Sequence, residues 1–301
     1  MVQVPEHRAP TVSVVVPCLN EERNLSYVFS RMPADVHQVV LVDGGSEDGS
    51  VDRARELWPS IVVVHQTRKG KGNALACGFA ACTGDIVVML DADGSTDPAE
   101  IPSFVAPLLA GADFAKGSRF LRGGGSTDIT RLRRLGNYGL CGFVNRLFHT
   151  RYSDLCYGYN AFWRRVLPYM DLPDVKAPRR IDGQMHWGDG FEVETLINIR
   201  VAMSRLKIVE VPSHEAARLH GVSNLNAFGD GQRVLYTILT EFRRRRTPVV
   251  VPAAASPAPA PAAIPVVTPV ATVISTQAIR SPGPRVPLGA GHEPVAARGE
   301  S

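Results

Sequence analysis

VVMLDADGSTDP, residues 87–98, is an apolar run that ends in two carboxylates one residue apart, Asp91 and Asp93. Ending a buried strand this way is costly unless the charges are met, because a carboxylate withdrawn from water needs a partner. The stretch DIVVMLD (85–91) reads as a strand buried on both faces. Along an extended chain, residues i and i+2 point to one side. Asp91 and Asp93 would then repel each other unless a cation lay between or beside them. Mg²⁺ and Mn²⁺ favour hard oxygen ligands, and magnesium commonly takes one or two carboxylates together with phosphate oxygens. A metal at a sheet rim, holding the diphosphate of a ligand, is one reading. The other is a loop in which Asp91 or Asp97 caps the helix opening at Pro98; Asp97 suits that cap in either case.

Working outward, strand and helix patterns alternate. TVSVVVP (11–17), QVVLVDGG (38–45) and IVVVHQ (61–66) read as strands, and ADFAKGSRF (112–120) as a fifth. Between them, NEERNLSYVFSRM (20–32), SEDGSVDRARELW (46–58), GNALACGFAAC (72–82) and DPAEIPSFVAPLL (97–109) carry helical spacing. This order predicts an α/β fold, a mostly parallel sheet with helices on both faces.

The chain of 301 residues, 45% hydrophobic, can bury a sizeable core. Its net charge of +4 is too small for the concentrated basic face of a nucleic-acid binder. Cys18, Cys77, Cys82, Cys141 and Cys156 are odd in number and form no CxxC pair, which speaks against a disulfide framework or a zinc site and for a reducing cytoplasm. MVQVPEHRAP (1–10) lacks the apolar core of a secretory signal, and no apolar run reaches the ~18 residues that span a bilayer. After FRRRR (242–246) the composition shifts: residues 247–301 hold 11 of the 23 prolines and predict a disordered, partly polyproline-II tail. The expected organisation is a flexible 1–10, a single catalytic domain over 11–246 and the tail over 247–301. Oligomeric state is not legible.

Polar residues gather where the strands end, and open α/β sheets bind ligands beyond the carboxyl ends of their strands. Pro17, Asn20 and Glu21 follow the first strand. Asp43, Gly44 and Gly45 close the second, where Asp43 could accept from a nucleobase N–H or serve a turn. TRKGKGNAL (67–75) follows the third and could approach phosphate through backbone N–H groups and Lys71. It is not a P-loop, and no GxGxxG follows the first strand.

Taken in order, VSVVVPCLNEERNL, VVLVDGGSEDGS, RKGKGNAL, DIVVMLDADGSTDP and KGSRF resemble the family 2 glycosyltransferases of GT-A fold, in particular the dolichol-phosphate mannose or glucose synthases. The resemblance covers roughly 11–246. It implies a Rossmann-like GT-A domain, a nucleotide-sugar donor, inversion at the anomeric carbon and Mg²⁺ or Mn²⁺. By match, Pro17, Asn20, Glu21 and Asp43 fall at nucleoside-binding positions. Lys71 and Asp91, with Gly72 and Ala92 beside them, fall near the diphosphate and ribose. Asp93 is the best single metal ligand, with Asp91 its companion, and Arg119 stands near phosphate. The chain departs from the family at Gly44, where a second aspartate is usual, and after Asp93, where Ser95 is a stand-in for a further metal ligand.

The second half carries the acceptor side. RLRRLGNYGLCGFVNRLF (131–148) is an amphipathic helix with a basic start, suited either to the core or to an anionic membrane surface. YSDLCYGYNAFWRRVL (152–167) resembles a family segment but has Asn160 in place of an arginine. WGDGFEVETLINIRV (187–201) offers Asp189 and Glu192 as a general base, which a hydroxyl acceptor needs and a phosphate acceptor does not. LKIVEVPSHEAARLHGVSNL (206–225) resembles the segment over the donor diphosphate, with Arg218, His220 and Ser223 as contacts. The expectation is an inverting transferase that moves a sugar from GDP-mannose or UDP-glucose to a polyprenyl phosphate. It would be cytoplasmic, with peripheral membrane contact; transfer to a hydroxyl of a saccharide or small metabolite is the alternative. A nucleotidyltransferase would show a Gly-rich first loop with a signature Arg and Lys, absent after VVVP. A non-catalytic module recruiting SH3-like partners through its proline-rich tail would have no use for the DxD and Arg218 segments.

Overall fold

The computed structural model describes residues 8–182, 184–221 and 227–244. The proline-rich tail, Ser223 and Asn224 lie outside them. Strands β1 (Val12–Cys18), β2 (Gln38–Asp43), β3 (Val62–His65), β4 (Ile86–Met89) and β5 (Phe114–Ser118) alternate with helices α1 (Glu22–Ser30), α2 (Ser50–Leu57), α3 (Lys71–Ala81) and α4 (Ile101–Leu109). A short pair, β6 (Gly125–Ser126) and β9 (His214–Glu215), flanks a second half made of α5 (Arg131–Phe148), β7 (Asn160–Trp163), α6 (Leu167–Met170), α7 (Val193–Met203), β8 (Ile208–Pro212) and α8 (Ala227–Arg244).

The main sheet has seven strands in the order β3-β2-β1-β4-β7-β5-β8. All its pairings are parallel except those of β7, which runs antiparallel between β4 and β5. The apolar runs of the central strands are buried on both faces: Val14, Val15, Val16, Val39, Val40, Val87 and Val88 are all 0% exposed. The edge strands are the exceptions: every residue of β3 is at least partly exposed, and in β8 only Val211 is buried. Helix α3 lies close on the sheet because Gly78 has no side chain; a Cβ there would stand 2.4 Å from Val15 Cγ1. The expected cap at Asp97 is present: its Oδ1 accepts from Ala99 N at 2.9 Å, and a single 3₁₀ turn, Pro98–Glu100, leads into α4.

Two departures follow from the topology. The 152–167 segment contains β7, which inserts into the sheet and splits the parallel series; a four-residue strand gives almost no periodicity to read. And β4 ends at Met89, so Asp91 and Asp93 lie in the turn beyond it. The strand alternation that would set both carboxylates on one side therefore does not extend to them.

Candidate active site

The carboxyl ends of β1, β2, β4 and β5 open into one cavity of about 1790 Å³. It runs from Pro17 and Asp43 at one end, past Lys71, Asp91 and Asp93, to α5 and α8 at the other.

On its floor stands a three-membered charge cluster. Lys71, the first residue of α3, places Nζ 2.7 Å from Asp91 Oδ1 and 2.7 Å from Glu194 Oε1. Burial alone would lower the Lys71 pKa, but the two carboxylates reverse this and hold it well above the usual lysine value. Burial raises Glu194 above the ordinary range, against the pull of Lys71. Gly158 keeps the space open, since a Cβ there would meet Glu194 Oε1 at 2.4 Å. Glu194 is the acid that sequence reasoning passed over in favour of its neighbours. The available signal was that Glu192 and Glu194 cannot share one helical face, so only one of them could look into the site.

Asp93 is held by its own turn. Its Oδ1 accepts from Ser95 N (2.9 Å) and Ser95 Oγ (2.6 Å). Its Oδ2 lies 3.1 Å from Arg218 Nη2, and Arg218 Nη1 donates to Glu21 Oε1 at 2.7 Å. Burial raises the Glu21 pKa, opposed by Asn24 and Arg218. The site suits a divalent cation. Two hard carboxylates, Asp91 and Asp93, face the cavity, and a guanidinium already sits where a cation on Asp93 would stand. Among the described residues no group of three or more His, Cys, Asp or Glu could hold a metal. The described residues thus offer a partial shell, the usual arrangement for magnesium that also binds phosphate oxygens and water. His220 is brought near, because Leu219 N donates to Asp93 O at 3.2 Å, but its side chain is exposed and outside the cavity lining.

Pro17 and Ala92 also line the wall. Asp43 is buried, and its oxygens accept from Gly45 N (3.1 Å), Ser46 N (3.0 Å) and His65 Nδ1 (3.2 Å). Burial pushes its pKa up, but the bonds from Ser46, Gly45 and His65 outweigh this and hold it below the usual carboxylate range. The aspartate thus builds the turn and still presents an anion to the cavity.

Five residues stand differently from the sequence reading. Asn20 does not line the cavity; with φ at 58° it accepts from Glu47 N at 2.8 Å and ties the β1 end to the β2–α2 loop. The backbone N–H of Gly72 does not point to a ligand, since it donates to Asp189 O at 2.7 Å. A Cβ on Gly72 would collide with Gly188 O at 1.9 Å, so this glycine serves close backbone approach. Asp189 is not placed as a base: its two oxygens accept from Arg68 Nε (2.6 Å) and Nη2 (2.9 Å), and both side chains are almost wholly buried. Glu192 also turns inward, accepting from Gly188 N at 3.0 Å and pairing with Arg233 of α8 at 3.2 Å. Arg119 is not free for phosphate; it is buried between Asp154 (2.7 Å) and Glu215 (3.0 Å). Arg68 went unnoticed in the sequence. It also donates to the carbonyls of Asp174 (2.9 Å) and Ala177 (3.0 Å), and so fixes the basic loop against residues 174–177 and Asp189.

The remaining wall belongs to α5. Leu132, Gly136 and Leu140 line the cavity, while Leu135 and Tyr138 of the same helix are outside its lining. Leu132, Leu135 and Tyr138 are 74%, 70% and 79% exposed. Thr130 caps the helix by accepting from Arg133 N at 3.2 Å. No helix among the described residues is long and apolar enough to cross a membrane.

The mostly parallel seven-stranded sheet, flanked by helices and with its cavity at the strand ends, is the GT-A fold of the glycosyltransferases. The description "Glycosyl transferase family 2" matches residues 13–168. The chain belongs to glycosyltransferase family 2. It is 30% identical over 224 residues to dolichol-phosphate mannosyltransferase of Pyrococcus furiosus, a match covering 71% of this chain and 59% of that protein. It is 31% identical over 223 residues to polyprenol monophosphomannose synthase of Mycolicibacterium smegmatis, covering 71% and 80%. Among solved structures it resembles glucosyl-3-phosphoglycerate synthase from Mycobacterium tuberculosis in complex with Mn²⁺, UDP and phosphoglyceric acid, with a TM-score of 0.59, 26% identity, and 78% and 79% of the two chains covered.

Proposed function

We propose that the protein transfers one sugar, with inversion, from a nucleotide sugar such as GDP-mannose or UDP-glucose to a polyprenyl phosphate. The observation that carries this reading is the α5 wall. Leu140 and Leu132 line the cavity, Leu132 stands largely exposed beside exposed Leu135 and Tyr138 on the same helix, and Arg131, Arg133 and Arg134 share its first turn. That combination suits an isoprenoid chain reaching a reaction centre from an anionic surface. Two relatives whose names specify polyprenyl-type acceptors support it. A cytoplasmic, peripheral location goes with this reading.

In the reaction, an oxygen of the acceptor phosphate bonds to the anomeric carbon. The bond from that carbon to the donor's β-phosphate oxygen breaks, and the nucleoside diphosphate leaves with the electron pair. The acceptor oxygen is already anionic, so no proton need move and positioning dominates. Pro17 and Asp43 take the nucleoside end, and Glu21 orients Arg218. Asp93, with Asp91, would hold Mg²⁺ or Mn²⁺, and the ion would supply positive charge to the leaving diphosphate. Lys71, Asp91 and Glu194 form the floor beneath the sugar, and Arg218 faces the diphosphate.

Replacing Leu132, Leu135 and Tyr138 together by Ser should raise KM for vesicle-borne acceptor by roughly tenfold, on the scale of burying one large apolar side chain. Donor affinity should stay the same. Kinetics with acceptor in anionic vesicles would show it; an unchanged KM would remove the α5 wall from the account.

A second reading, transfer to a hydroxyl, is favoured by one feature: Glu194 is a cavity acid with a raised pKa, and the solved relative holds phosphoglyceric acid. Glu194→Gln separates the two. A loss of less than about tenfold in kcat is expected for a phosphate acceptor, whereas a missing general base costs about 10²- to 10⁴-fold.

A further inference from the structure

Arg218 lies on the loop after β9, and that loop is pinned to the Asp93 turn. Ala216 N donates to Ser95 O at 2.8 Å, Leu219 N to Asp93 O at 3.2 Å, and Asn24 Nδ2 to His220 O at 3.2 Å. Leu219 packs over Gly94, where a Cβ would stand 2.6 Å from its Cδ1. The guanidinium therefore has little freedom to choose its partners. One side meets Glu21 at 2.7 Å and the other meets Asp93 Oδ2 at 3.1 Å, while its Nε is buried with no hydrogen-bond partner among the described residues.

These contacts conflict with metal binding in a specific way. Asp93 Oδ1 is committed to Ser95, so Oδ2 is the oxygen left for a cation, and Arg218 sits on it. A metal reaching Oδ2 must displace Nη2. If Arg218 left altogether, Glu21, only 9% exposed, would lose its cation, which is costly for a carboxylate so placed. A diphosphate removes the conflict. It can accept from Nη2 and from the orphaned Nε while Nη1 stays on Glu21, and a guanidinium fork matches phosphate oxygens well.

We infer that Arg218 is a placeholder cation for Asp93, exchanged for the metal only when a nucleoside diphosphate group arrives to receive it. The exchange makes metal and nucleotide binding mutually dependent, and keeps the metal off the protein when no donor is present. By linkage, each ligand must tighten the other by the same factor, and couplings of this kind run from about 5- to 150-fold. The inference rests on the proposed metal role of Asp93.

The test is Mn²⁺ binding, read from the free-ion electron paramagnetic resonance signal. It uses the full chain alone and with UDP or GDP, in wild type, Arg218→Gln and Asp93→Asn. Wild type should bind Mn²⁺ at least about tenfold tighter with the nucleotide. Arg218→Gln should bind Mn²⁺ alone about tenfold tighter than wild type does, so that the gain in Mn²⁺ affinity on adding nucleotide shrinks by the same factor and only the part carried by direct contact of metal and diphosphate is left. Equal or weaker binding of Mn²⁺ alone by Arg218→Gln would overturn the placeholder role while leaving the metal site standing. The wild-type arm needs no variant to fold: equal Mn²⁺ affinity with and without nucleotide also overturns it. If Asp93→Asn binds Mn²⁺ as wild type does, the metal is not at Asp93, and the site reading falls together with the inference.

Discussion

Asp93→Asn is expected to lower sugar transfer by about 10²- to 10³-fold at saturating donor, the usual cost of removing one electrostatic partner of a developing charge. The substitution keeps shape and an oxygen for the Ser95 bonds, so the turn that carries the residue should survive. What is lost is the negative charge that faces Arg218 at 3.1 Å and that would hold the metal beside the leaving diphosphate. Thermal unfolding should change little, because this pair is partly exposed and such pairs contribute only about 0–1 kcal/mol. Steady-state kinetics beside a melting curve would check both halves. A variant that turns over at more than a tenth of the wild-type rate would exclude Asp93 from the chemistry.

Asp189→Asn should act in the opposite way, through stability. Asp189 and Arg68 are 1% and 4% exposed and meet through two short hydrogen bonds. Removing one charge of a buried pair leaves the other uncompensated, at a cost of about 3–5 kcal/mol. For a domain of this size that corresponds to a melting point lower by roughly 6–20 °C. The loss of activity that accompanies it would come from release of the basic loop, whose Gly72 and Asn73 N–H groups both donate to Asp189 O. An Arg68→Met, Asp189→Leu double variant should recover part of the stability, because apolar replacement of a whole buried pair is often neutral. A variant with an unchanged melting point but no transfer would return Asp189 to the role of a base.

Much of this was legible in the sequence because the central strands are continuous apolar runs. VSVVVPC, QVVLVD and IVVM are buried on both faces and cannot be mistaken for a polar loop. The 18-residue helix α5 announced itself by spacing, and the cap at Asp97 by the proline after it. Strand β7 was hidden, since NAFW is too short for either period. The site was legible only as a set of strand ends. Which acid looks into the cavity depends on pairings far apart in the chain: Arg68 with Asp189 spans 121 positions, and Lys71 with Glu194 spans 123. No local pattern encodes those partners. Nothing in the glycines of RKGKGNAL told whether they approach a phosphate or, as found at Gly72, another stretch of backbone.

The central claim is tested most directly by incubating the protein with labelled nucleotide sugars, with and without polyprenyl phosphate, in Mn²⁺ or EDTA, and extracting the products into organic solvent. The account predicts label in the organic phase only when both metal and lipid phosphate are present. Metal-dependent release of nucleoside diphosphate with no lipid labelling would contradict the lipid acceptor and point the site toward a hydroxyl.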